Sequence, residues 1–119
     1  MSSPAGTRFE TAVRDFLRVR GLRAIKPTQT KWYDVGDIHV GKDVVLQAKA
    51  HRDILAGIRL GVAGAEDQAE RSRRRFGFAV VKRPGKSVAN AYVVMSLETL
   101  ADLLHSREET DEVPGSDAP

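Results

Sequence analysis

The chain contains no cysteine. That removes disulfides, thiolate metal sites and cysteine nucleophiles, and leaves carboxylate, amide, carbonyl and imidazole groups as ligands for any metal. Magnesium and manganese, hard cations that take oxygen ligands, suit this inventory. Nor does any run approach the ~20 apolar residues needed to cross a bilayer. The opening MSSPAGTRFE lacks the charged and apolar regions of a secretory signal. A soluble, cytoplasmic protein with no membrane partner is therefore expected. Internal repeats and heptad runs are missing as well. The 119 residues, 41% of them hydrophobic, suit a single compact domain.

Bases are missing from the last twelve positions, which hold the acids Glu108, Glu109, Asp111, Glu112 and Asp117. Residues 1–107 consequently carry nineteen bases against eleven acids, a net +8 that the +3 of the whole chain conceals. A domain this basic attracts polyanions before any specific contact forms, which puts nucleic acid first among expected partners, although such charge can also serve solubility alone.

Residues 1–5 and 107–119, rich in Ser, Pro, Gly and acids, read as flexible tails around a folded domain at 6–106. Phe9, Ala12, Val13, Phe16 and Leu17 recur at helical spacing up to Gly21, predicting an amphipathic helix over Thr7 to Arg20 that Thr7 can cap. An extended segment is expected from Leu22 to Trp32. A β-hairpin should follow, with Val35 to Val40 as one strand, Gly41 to Asp43 as the turn and Val44 to Lys49 as the other strand. From Asp53 to Phe76 the composition is helical, but Gly57, Gly61 and Gly64 predict a loop or broken helix in its first half. Its second half carries the acid-before-base pairs Asp67 with Arg71 and Glu70 with Arg74, and Gly77 should end it. Phe78 to Lys82 and Ala91 to Met95 read as strands joined by a polar loop. Ser96 can cap a last helix with Leu97, Leu100, Ala101 and Leu104 on its inner face. The order αβββαββα predicts an α/β fold with a mixed five-stranded sheet flanked by helices.

The segment YDVGDIHVGKDVVLQAK, residues 33–49, carries the chemistry. Asp37 opens one hairpin strand, and Gln47 and Lys49 lie near the end of the other. Residues two apart on a strand share a face, so Gln47 and Lys49 project together while Ala48 points away. The strand is expected to run from apolar Val44 and Leu46 to this polar pair, as a site at a sheet edge would. Phosphodiester hydrolysis needs a divalent ion and a further cationic group. Asp37, the Gln47 amide oxygen and the Ala48 carbonyl can supply an oxygen-rich sphere, and Lys49 the cation.

An acid after a small residue (Gly36, Asp37), nine intervening residues, then Gln47, Ala48 and Lys49 closing an apolar strand resembles the signature of the PD-(D/E)XK nucleases. Within that superfamily the chain is similar to the archaeal-type Holliday junction resolvases, small dimeric enzymes with an acid on the first helix. The glutamine is similar to the QxK version of Mrr-like restriction endonucleases. Three or four positions carry the resemblance, which spans about Thr7 to Leu104 in element order. It implies a restriction-endonuclease-like fold and magnesium- or manganese-dependent cleavage of branched DNA by a homodimer, an activity of DNA recombination and repair. It also implies that Asp37 and Gln47 bind the metal, that Lys49 is the catalytic lysine, and that Glu10 joins the metal site. Two departures stand out. Gln47 removes a negative charge that would strengthen metal binding, and Gly36 replaces the motif's proline.

Each residue also has a plainer reading. Glu10, three residues after Thr7, can complete a capping box. Asp37 can be a turn residue, with Asp34 as a rival acid, and Gln47 and Lys49 can be solvent-facing on an edge strand. His51 and Arg52 follow the lysine and can contact phosphate or simply end a strand. Arg71, Arg73, Arg74 and Arg75 can grip a DNA backbone or form a solvated face; Arg8 and Lys31 are further expected DNA contacts. His39, between Ile38 and Val40, should be exposed, and His105 should complement the last helix's dipole. Trp32 and Tyr33 suit packing or base stacking. Other functions compatible with these residues are an Mrr-like or repair nuclease acting on linear duplex, and an inactive basic DNA-binding module. The acidic tail can also be read as a DNA mimic folded over the basic site.

Overall fold

Helix α1 spans Pro4–Val19 in the structure, a computed structural model that describes residues 4–27 and 37–111, with Asp37, Thr110 and Asp111 described by backbone alone. Proline suits a first helical position, where its missing N–H goes unused. The helix thus begins three residues before Thr7 and takes in Pro4 and Ala5, which the sequence assigns to a tail. Thr7 and Glu10 both lie inside it, so neither occupies the helix start that a capping box requires. Phe9 and Val13 are buried on its inner face. The helix ends as expected at Gly21, whose φ of +85° lets the Leu22 N–H turn back to the Leu17 carbonyl at 3.0 Å.

Strand β1 is only Ala24–Ile25, much shorter than the expected 22–32, of which 28–32 lie outside the described residues. Strands β2 (Asp37–Val40) and β3 (Val44–Lys49) form the expected hairpin around the turn 41–43. Helix α2 (Ile54–Arg71) then carries the chain back so that β4 (Phe76–Val81) lies parallel to β3. After a short 3-10 turn at Val88–Asn90, β5 (Tyr92–Val94) pairs antiparallel with β4, and α3 (Leu97–Asp111) follows. The strands lie in the order β1-β2-β3-β4-β5. This is the mixed five-stranded α/β sheet, with elements ordered αβββαββα, that the sequence predicts.

Each face of the sheet has its own helix. On one, Phe9 and Val13 of α1 join Ala24, Ile38, Leu46, Ala48 and Val80 in a buried apolar cluster. On the other, Gly57, Gly61, Ala65 and Ala69 form a buried stripe along α2, one residue per turn.

The expected break in α2 does not occur. Asp53 caps the helix, its carboxylate accepting from the backbone N–H groups of Leu55 at 3.0 Å and Ala56 at 3.3 Å. Packing accounts for the glycines: a Cβ at Gly61 would stand 2.9 Å from the Ala79 Cβ, and one at Gly77 of β4 would overlap the Ala65 carbonyl. The helix backbone lies almost on the strand at Gly57 and Gly61, and this contact offsets the ~1 kcal/mol that a helical glycine costs there. Helix α2 also stops earlier than the sequence suggests, at Arg71, and Gly77 belongs to β4. Arg73 takes the left-handed conformation at φ +56°, and the Arg74 N–H reaches back to the Ala69 carbonyl at 2.8 Å.

Ser96 caps α3 as expected, its Oγ accepting from the Thr99 N–H at 3.0 Å. The inner face matches the expected one only at Leu100, which is half-buried: Leu97 is 80% exposed, Ala101 and Leu104 are exposed, and Thr99, Leu103 and Ser106 are half-buried in their place. The helix runs on through residues 107–111, which the sequence assigns to the acidic tail. Among the described residues no helix is long and apolar enough to cross a membrane.

Candidate active site

The hairpin places its polar residues by register. Val40 pairs with Val44 beside the turn, so Asp37 is the Cα partner of Gln47. Two chain segments ten residues apart in sequence are thereby joined at one level of the sheet. The carboxylate of Asp37 lies outside the described residues, as do Lys31, Trp32, Tyr33, Asp34 and Gly36. Beyond Gln47, β3 continues beside β4 with Ala48 opposite Val80 and Lys49 opposite Val81.

Alternation along β3 sends Leu46 and Ala48 into the α1 cluster and Gln47 and Lys49 to the α2 face. Val44 and Leu46 are therefore not on the polar pair's face, which continues through Val45 instead; residues of like parity share a side. Gln47 is only 3% exposed and packs against Gly64, where a Cβ would stand 3.5 Å from its Cδ and 3.6 Å from its Oε1. A Cβ at Gly61 would stand 3.3 Å from the Lys49 Cγ, and one at Gly57 3.9 Å from the Lys49 Cβ. The edge-strand reading of Gln47 and Lys49 is thus excluded, because β3 lies between β2 and β4 and is covered by a helix. The glycines roof the pair. Their spacing of four, Gly57 to Gly61, was the sequence signal for a helix face that presses on a sheet.

Glu10 is held elsewhere. It is buried at 5% exposure on α1, the helix of the opposite face, and its Oε1 lies 3.4 Å from the Lys26 Nζ. The same ammonium donates to the Thr11 Oγ1 at 3.4 Å. Among the described residues no three of Asp, Glu and His stand close enough together to hold a metal ion. The acid that the register brings to Gln47 is Asp37, and its side chain is not among those described.

The expected DNA contacts fall into separate groups. His51 and Arg52 are exposed just beyond Lys49, at the carboxyl ends of the parallel strands β3 and β4. Arg71, Arg74 and Arg75 lie at the amino ends, roughly 17 Å away along a six-residue strand, because α2 has carried the chain back across the sheet. Arg71 is ion-paired with Asp67 at 3.1 Å. Arg75 stacks over the Phe76 ring at 5.1 Å and donates to the Ser106 Oγ at 3.3 Å, tying α3 to the start of β4. Arg74 is half-buried, and its Nε has no hydrogen-bond partner among the described residues. Arg8 is exposed on α1.

His39, expected to be exposed, is half-buried opposite Val45. Burial, and secondarily the Arg74 guanidinium, hold its imidazole below the ordinary histidine range. His105 is exposed and pairs with Glu109 at 3.7 Å.

No protein-family model matches the chain, and neither does any curated protein or solved structure.

Proposed function

We propose that the chain is a divalent-metal-dependent endonuclease that hydrolyses phosphodiester bonds in DNA. The observation that supports this most is the register of the hairpin, which sets Asp37 across from Gln47 while alternation puts Lys49 on the Gln47 face. A carboxylate, an amide oxygen and the Ala48 carbonyl form an oxygen-only donor set, which fits magnesium or manganese. A bound ion of this kind supplies neutralisation of the scissile phosphate and an activated water. Asp37, Gln47 and Ala48 would hold it. Lys49, its stem packed beneath Gly61, is directed to brace a phosphate oxygen or orient the attacking water. Glu10 would join the set only by leaving Lys26.

Branched DNA as substrate and a homodimer as the working unit follow from the similarity to the resolvases. Exposed Tyr92 and Val93 on β5 and Leu97 on α3 offer a second copy apolar surface to cover. The test is a magnesium titration against a labelled four-way junction and a linear duplex of the same sequence. Lys49→Ala should lower the cleavage rate by about 10²-fold or more. Cleavage of the duplex alone would favour the Mrr-like reading, and equal rates for wild type and Lys49→Ala would remove the mechanism.

One observation favours a second reading, a DNA-binding module that does not hydrolyse: Gln47 is neutral and almost wholly covered by α2. Absence of cleavage by wild type across the whole metal series, with DNA binding retained, would select it.

A further inference from the structure

A second group of cations gathers around a pocket away from the Gln47 face. Arg8 of α1 and Lys82, Arg83 and Lys86 of the loop after β4 line it, together with Ser87, over an apolar floor that includes Phe9 and Val88. Its volume is about 220 Å³, and no carboxylate among the described residues lines it. Four cations around one small concavity repel one another. An anion seated among them would reverse the sign of these interactions.

Several groups there are already set to receive one. The Arg83 guanidinium is held over the Tyr92 ring at 4.6 Å, and its Nη1 donates to the Asn90 carbonyl at 3.4 Å. The Ser87 Oγ accepts from the Asn90 amide at 3.2 Å, which leaves its own hydrogen to donate. The pocket adjoins the site strand, because the Lys82 N–H donates to the Lys49 carbonyl at 2.9 Å. It therefore opens at the same end of the sheet as Lys49, on the α1 side.

We infer that this pocket is a phosphate-binding subsite for the backbone of a nucleic acid, engaging a phosphate distinct from the one at Gln47 and Lys49. The inference rests on the reading of DNA as the partner. Duplex DNA offers phosphates at close intervals, about one charge per 1.7 Å of axis, so one molecule can occupy both positions. Arg8, Lys82, Arg83 and Lys86 would neutralise the second phosphate and fix how the strand crosses the sheet end, with no part in bond cleavage.

Fluorescence anisotropy with a labelled duplex in EDTA tests this without any turnover. The full chain is compared with Arg8→Gln/Lys86→Gln and with Lys86→Arg, over a series of salt concentrations. The double variant should bind about tenfold or more weakly at low salt, and its log affinity against log salt should flatten by about one unit, the share of one phosphate. Lys86→Arg should retain wild-type behaviour. Equal slopes and affinities for wild type and the double variant overturn the inference. So does a double variant that loses only its binding of inorganic phosphate or of phosphatidylserine vesicles while holding DNA as before. Wild type failing to bind DNA at all would sink both this subsite and the proposed function, whereas a chain that binds but never cleaves leaves the subsite standing.

Discussion

Gln47 lies directly under Gly64: the amide oxygen is 3.6 Å from the point a Cβ at that glycine would occupy. That separation is ordinary van der Waals contact, so Gly64→Ala should fit and stabilise the protein by up to about 1 kcal/mol through helix propensity. Gly61→Ala should do the opposite. Its Cβ would press on the Ala79 Cβ at 2.9 Å, and the overpacking costs roughly 1–3 kcal/mol. Urea denaturation of the two variants checks the contrast, and equal effects would mean α2 does not rest on β4 as described.

Gln47→Glu should raise metal affinity about tenfold if Asp37 and Gln47 share an ion, since each added charge among oxygen ligands tightens hard-cation binding. Calorimetry with manganese reads this directly. No binding by either protein would remove the metal site and leave the non-hydrolysing module.

The Glu10–Lys26 pair is buried on the glutamate side, with the lysine side chain retaining 20% exposure. Lys26→Met would strand the carboxylate, at a cost of roughly 3 kcal/mol, toward the low end for a broken buried pair because solvent still reaches the site. Adding Glu10→Gln should recover part of that loss. A double variant less stable than Lys26→Met would contradict the pairing.

Stability should fall on mild acidification. His39 has a lowered pKa in the folded state, so the unfolded chain binds the proton more readily. The stabilisation is complete above pH 6.5, the unfolded value, and declines as pH drops below 6.5 toward the folded value. Urea unfolding at pH 7.5 and 5.5 should show a loss that His39→Gln reduces and Arg74→Gln reduces by less. An unaltered loss in His39→Gln would assign the effect to other groups.

Arg73, just beyond the end of α2, stands at φ +56°, a conformation that costs a side-chain-bearing residue roughly 1–2 kcal/mol. Arg73→Gly should relieve most of that strain and raise the thermal midpoint. A lower midpoint would show that the arginine side chain contributes more than its backbone loses.

The strands at 37–40 and 44–49 were visible in the amino-acid order because their periodicity and their turn are local. Counting outward from residues 41–43 also pairs Asp37 with Gln47, so the centre of the candidate site is legible in the amino-acid order. The first helix was equally plain from Phe9, Val13 and Leu17, apart from its start at Pro4, a residue that suits a first helical position. The Glu10 ion pair was not, since its partner lies sixteen residues away, beyond β1.

Other features depended on elements distant in the chain. Glycines at 57, 61 and 64 weaken a helix judged by its own residues, and only the strand and loop beneath the first two turn that weakness into close packing. Helix α3 buries whichever side the sheet end reaches, and its leucine spacing cannot report that. The arginines at 71–75 and the lysine at 49 look like one basic surface until the parallel connection sets them at opposite ends of the strands. Backbone conformation answers to neighbours a few residues away, whereas burial and the gathering of charges answer to what the completed fold lays against them.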